Sequence, residues 1–158
     1  MLAYSTISQL SYIVMAACLW TPLAITAAAL HIVVHAFGKI TLFFAAGSIY
    51  TAHHKTLVSQ LPGIGKAMPW TMGAFAIAAI SMIGLPPAAG KWYLLGGTFQ
   101  TTGVNWFAIA VIFLSTLLNA AYFLPIIYSA FFKPSLNNEY AEYHESPRLM
   151  VIALCSTA

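Results

Sequence analysis

HIVVHAFGKITLFF, residues 31–44, carries three ionisable side chains at four-residue spacing inside an apolar run: His31, His35 and Lys39. The spacing i, i+4, i+8 stacks them along one face of a helix, about 6 Å of rise apart. Each then lies within reach of the next, directly or through a water, and a proton can be handed along such a row. Apolar sequence continues on both sides, from 23 to 52, which is long enough to cross a membrane.

The composition agrees. Hydrophobic residues make up 61% of the 158 and charged residues 6%, against roughly 25% charged in a soluble domain; mean hydropathy is +0.84. The reading is an integral membrane protein, all-α, built as a polytopic bundle of transmembrane helices. The net charge of +3 rests on six basic and three acidic residues. No basic cluster carries interleaved aromatics, which argues against nucleic acid as a partner and leaves the lipid bilayer as the surroundings. Cys18 and Cys155 fall in apolar helical stretches and read as small core hydrophobes rather than a disulfide or metal pair. The start, LAYSTISQLSYIVMAACLW, lacks the basic region and cleavage site of a signal peptide, so the first helix is expected to stay in the membrane.

Runs and breaks predict spans at about 2–20, 23–52, 69–102, 104–132 and the start of another at 148–158. Trp20-Thr21-Pro22 is an uncharged turn whose proline suits a helix start, and 53–68 reads as a hydrophilic loop. The third span is interrupted at 85–90, where Pro86, Pro87 and Gly90 cannot sustain a regular helix. Backbone groups freed there need protein or water around them, which implies a polar cavity or a conduction path. All three acidic residues, Glu139, Glu142 and Glu145, fall with His144 in a polar segment at 134–147 that reads as a solvated loop. Lys55, Lys66, Lys133 and Arg148 share one predicted face while the opposite loops carry no charge, which makes that face cytoplasmic. Lys39 and Lys91 are left at membrane depth, Lys39 about 24 Å of helix rise from Leu23 and about 20 Å from Ala52.

A lysine at the bilayer centre costs roughly 2.5–3.5 kcal/mol on insertion scales, so it turns towards a bundle interior and finds a partner. Its proton affinity responds to a neighbouring carboxylate, a means of binding and releasing a proton. Histidine accepts on one ring nitrogen while donating on the other, which suits a relay; the plainer reading of His31 and His35 is a pair of interhelical hydrogen-bonding groups. A metal site on the two histidines would lack a nearby carboxylate or cysteine and would set a cation beside Lys39. Lys91 admits two readings equally: a buried relay member, or an interfacial lysine next to the aromatic belt of Trp92 and Tyr93. Ser5, Thr6, Ser8, Gln9, Ser11 and Tyr12 either link waters to the relay or pack helices together. His53-His54 and the GIGK run at 63–66 read as loop chemistry.

LAYSTISQLSYI, HIVVHAFGKITLFFAAGSIY and MPWTMGAFAIAAISMIGLPPAAGKW resemble, in order, successive blocks of the antiporter-like subunits shared by multisubunit Na+/H+ (Mrp) antiporters and proton-pumping NADH:quinone oxidoreductase, complex I. The likeness covers about 2–132, and SQLSYIV, KITLFFAAG and MPWTMGAF are most similar to the D-type Mrp subunit. It implies an all-helical subunit of about fourteen spans with two inverted repeats, of which this chain is expected to be a fragment holding most of the second. By position, His31, His35 and Lys39 match the family's central relay, and Lys91 the charged residue beyond the broken helix. The family usually carries Gly-Phe-x-Ser/Gly-Lys after the prolines. Here Lys91 follows Gly90 directly, so three residues are absent and Lys91 is expected about 5 Å from a relay position.

The implied function is proton translocation through a His31, His35, Lys39 and Lys91 relay within an Mrp-type antiporter, with a complex I or related hydrogenase subunit as the alternative and a non-conducting structural fragment as the other. Protons, with Na+ in the antiporter reading, and other membrane subunits are the implied partners, in the inner (plasma) membrane of a bacterium. No nucleophile triad, cofactor loop or metal cluster is written in the sequence, so no cofactor and no catalysis by this chain alone are expected.

Overall fold

The computed structural model describes residues 2–84, 90–100, 105–134 and 145–158, and within them the regular elements are helices, without a strand. Pro86 and Pro87 of the expected break, and Glu139, Glu142 and His144, lie outside the described residues. Helix α1 spans Leu2–Leu19 and α2 spans Pro22–His53. Trp20, at φ 52°, turns the chain out of α1. Thr21 then caps α2: its hydroxyl accepts from the Ala24 N–H at 3.2 Å, and Pro22 stands first in the helix, where a missing N–H costs nothing. A 3-10 turn at Val58–Gln60 and the short α3, Ile64–Ala67, lead to α4, Pro69–Ile83. Helix α5 is Gly90–Phe99, α6 is Trp106–Phe132 and α7 is Arg148–Thr157. Asn105 caps α6 by accepting from the Ala108 N–H at 3.1 Å.

Helices α1, α2 and α6 are each long and apolar enough to cross a membrane. Their polarity is the reverse of a soluble helix. On α2, Ile32, Val33, Phe37, Phe43 and Phe44 are exposed, while His31, His35 and Lys39 are 7%, 8% and 6% exposed. Such an arrangement is stable where the solvent is hydrocarbon and the polar groups find partners inside.

The chain divides into two compact units, Met1–Lys39 with Ile80–Ala120, and Ile40–Ala79 with Ala121–Ala158. The first has a core of Tyr12 and Ala16 from α1, Ala24 and Ala27 from α2, Leu94 from α5 and Ile112 from α6. Small residues bring α5 against α2. A Cβ on Gly97 would lie 3.0 Å from the Cα, Cβ and N of Ala24, and the Gly97 carbonyl accepts from the Thr21 hydroxyl at 3.4 Å.

In the second unit, α2 and α7 are tied by a Thr41 to Thr157 hydroxyl bond of 2.9 Å, and Phe75 of α4 meets Phe123 of α6 edge-on. Two sequence expectations are corrected here. The 53–68 segment is not simply a hydrophilic loop: Ile64 and Met68 are wholly buried, because α3 groups its scattered apolar residues on one side. A Cβ on Gly65 would lie 2.9 Å from the Ala130 carbonyl oxygen, so the approach of this segment to α6 admits glycine alone. Glu145 is not merely solvated. Its carboxylate accepts from the Trp70 N–H and the Thr71 hydroxyl, both at 2.9 Å, and so meets the unpaired donors that open α4. A third correction spans both units: Cys18 and Cys155 are free, but exposed rather than in a core.

Replacing Gly97 with valine in the full-length protein should cost about 1–3 kcal/mol through overpacking against the Ala24 backbone. Replacing Gly47, where a Cβ meets nothing within 4 Å, with alanine should be neutral or stabilising by up to ~1 kcal/mol. Thermal unfolding in detergent distinguishes the two.

A buried polar row as the candidate functional site

The site lies within the first unit and begins at the end of α4. The helix stops at Ile83, and Gly84 takes φ +97°, where its N–H reaches both Ile80 O and Ser81 O at 3.1 Å. This left-handed ending suits glycine. It leaves the last carbonyls of α4 pointing onward without helical partners. Lys91, in the first turn of α5, supplies them: its ammonium donates to Met82 O at 3.1 Å and to Ile83 O at 3.0 Å. A cation at a helix C-terminus also meets the favourable end of the helix dipole. Gly84 is required twice, since a Cβ there would lie 2.6 Å from Lys91 Cδ as well as strain the backbone. The Lys91 side chain is buried, 6% exposed.

From α1, Ser5, Gln9, Tyr12 and Ala16 are buried at spacings of four, three and four, one stripe of the helix. Gln9 donates to the same Met82 carbonyl at 3.4 Å. Tyr12 meets Lys91 and His31 together. The Lys91 Nζ stands 5.3 Å from the centre of the Tyr12 ring, a cation–π contact, and His31 packs edge-on at 5.9 Å and 87°. Its hydroxyl donates to Ser115 Oγ of α6.

On α2 the row continues. The His31 and His35 rings lie 6.2 Å apart at 20° to each other, one helical turn along, and Lys39 follows after another. Lys39 donates to the Leu2 carbonyl of α1 at 2.7 Å. Both lysines thus give their protons to backbone carbonyls rather than to carboxylates. His31 and His35 each leave a buried Nε2 without a hydrogen-bond partner among the described residues, as does the Gln9 Oε1. Leaving such a group unsatisfied costs about 1–3 kcal/mol, so these atoms call for a polar partner such as water or a transferring proton.

His31, His35, Lys39 and Lys91 are therefore gathered into one unit, joined by Gln9 and Tyr12. Gly90, expected at the break, opens α5 one residue before Lys91. Gly84 and Ser115 escape a reading based on charge. The signal for Gly84 was present, a glycine closing an apolar helix just before two prolines; nothing in the sequence pairs Tyr12 with Ser115 across 103 positions. Among the described residues no three His, Cys, Asp or Glu side chains converge as metal ligands.

The sequence profile of the family described as NADH:quinone oxidoreductase/Mrp antiporter, transmembrane, matches residues 1–141. The chain belongs to this family. Among its relatives, NADH-quinone oxidoreductase subunit N of Desulforudis audaxviator is 45% identical over 136 residues, covering 84% of this chain and 27% of that protein. F(420)H(2) dehydrogenase subunit L of Methanosarcina mazei is 32% identical, covering 97% of this chain and 25% of its own length. NADH-quinone oxidoreductase subunit L of Rickettsia bellii is 34% identical, covering 94% and 23%. The chain spans about a quarter of the length of these curated relatives.

Because Gly84 and Lys91 are in contact, their substitutions should be coupled. Gly84→Ala should destabilise the full-length protein less when Lys91 is also alanine. A double-mutant cycle on thermal stability is expected to show an interaction on the order of 1 kcal/mol; additive effects would mean that Gly84 serves only its own backbone turn.

Proposed function

We propose that this chain is part of a proton-translocating membrane subunit, and that Lys91, His31, His35 and Lys39 are the groups along which the proton moves. The observation that carries the reading is the continuity of the buried row: ammonium, aromatic ring, imidazole, imidazole, ammonium, all in one compact unit among apolar helices. Buried ionisable groups in apolar helices are costly and mark ion pathways. The two histidines can each accept a proton on one nitrogen while releasing one from the other. Steps of one helical turn are spanned by a single water. Lys39 and Lys91 end the row on carbonyl oxygens.

The relatives reported above are named as subunits of NADH-quinone oxidoreductase and F(420)H(2) dehydrogenase. On that basis the parent assembly is a redox-driven complex of the quinone oxidoreductase type, with the electron chemistry in other subunits and this one in the plasma membrane of a bacterium. A second reading, a subunit of an Mrp-type Na+/H+ antiporter, is favoured by the family description, which covers both, and by the wording of SQLSYIV, KITLFFAAG and MPWTMGAF.

The test is proton flux into inverted vesicles carrying the full-length protein in its complex, wild type against Lys39→Ala at matched assembly. Loss of a positioned proton-transfer group should lower flux by about 10²-fold or more. Unchanged flux would reduce the row to a structural element. Flux driven by NADH or reduced F420, against flux driven by a Na+ gradient, separates the two assemblies.

A further inference from the structure

One junction of the row is made by ring contacts and not by a hydrogen bond. Lys91 meets Tyr12 through its ammonium and His31 meets Tyr12 through its ring. The face of an aromatic ring attracts a cation, but its carbons neither accept nor give up a proton. The one exchangeable proton on Tyr12 is on its hydroxyl, and that hydroxyl is committed to Ser115 of α6.

Beside this junction is room for a change. A cavity of about 190 Å³ is bounded by Gly84, Lys91, Leu95, Ile112 and Thr116, among others. Lys91, which borders this space, is also the group that meets the Tyr12 ring, and Ile112 belongs with Tyr12 to one apolar cluster. The cavity's volume exceeds the ~150 Å³ of a cavity that accommodates benzene.

We propose that Tyr12 is the gate of the proton row, closed when its hydroxyl is held by Ser115 and open when that hydroxyl turns in to bridge Lys91 and His31. In the closed arrangement Lys91 is held by Met82 O, Ile83 O and the Tyr12 ring face, and among the described residues it makes no hydrogen bond to His31. Once turned, the hydroxyl oxygen accepts a proton from the Lys91 ammonium as its own passes to a His31 nitrogen. Lys91 is left neutral, His31 cationic and Tyr12 unchanged. Tyr12 is a positioning and relaying residue in this scheme, and Ser115 is its latch. The proposal rests on the proton-row reading above and adds to it the place where passage is controlled.

The experiment uses the full-length complex in inverted vesicles and compares Tyr12→Phe, Ser115→Ala and Lys39→Ala with wild type at matched assembly. Tyr12→Phe keeps the ring and its packing and removes only the hydroxyl. It should lower driven proton flux about 10²-fold or more, as expected for loss of a proton-transferring group, while the complex still folds and assembles. Ser115→Ala keeps the hydroxyl and removes the latch; it should retain driven flux and raise the passive proton leak under an imposed pH gradient. Wild-type flux in Tyr12→Phe overturns the gate. So does a tenfold flux loss in Ser115→Ala, which would make the pair a structural tie. If Lys39→Ala abolishes flux while Tyr12→Phe is silent, the gate alone fails; if Lys39→Ala is also silent, the underlying row fails with it.

Discussion

The bond between the Lys91 ammonium and the last carbonyls of α4 is the interaction on which the site depends. A helix that ends among apolar neighbours exposes carbonyl oxygens that lipid cannot satisfy, at a cost of several kcal/mol each. Lys91 meets two of them, Met82 O and Ile83 O, and Gln9 shares the first. The same bond solves the reciprocal problem of a buried ammonium, which needs acceptors around it. Each group would be a liability alone. Together they fix where α5 begins relative to the end of α4 and hold a titratable group beside the histidines.

Around that bond the packing is set by small residues. Gly84 is bare so that the Lys91 stem can cross it, and Gly97 so that α5 can lie against Ala24 of α2. Ala16, Ala24 and Ala27 fill the space beneath the polar row. Membrane helices gain little from hydrophobic association, because lipid tails are as apolar as leucine, and they rely on close backbone approach and interhelical hydrogen bonds. Both are concentrated here: Gln9 to Met82, Tyr12 to Ser115 and Lys39 to Leu2 join α1 to α4, α6 and α2. The groups that hold α1 in place are thus the groups that surround the histidines, so stability and proton chemistry are drawn from the same side chains. Helix α4 carries charge at both ends, Glu145 on its first N–H groups and Lys91 on its last carbonyls, each of the sign its dipole favours.

The sequence by itself determined a good deal. Long, unbroken apolar runs with few charges point to membrane helices, because a helix satisfies its backbone groups within its own segment. His31, His35 and Lys39 were legible because helical periodicity fixes which side chains share a face, and Lys91 because a charge is conspicuous in such surroundings. The family was legible in the ordered blocks that contain these residues. What the sequence left undecided were long-range pairings. Whether Lys91 faced an interface or the interior depended on the carbonyls at the end of α4, and the part played by Gln9 and Tyr12 depended on which helix faced the stripe they form. Glu145, in a polar segment, gave no sign that it would cap a helix 75 residues earlier, and the 53–68 segment hid its buried Ile64 and Met68 among polar neighbours. Periodicity is a local property of the chain, whereas the partner of a buried polar group is chosen by tertiary packing; that is why the row could be read from the sequence, and its junction at Tyr12 only from the fold.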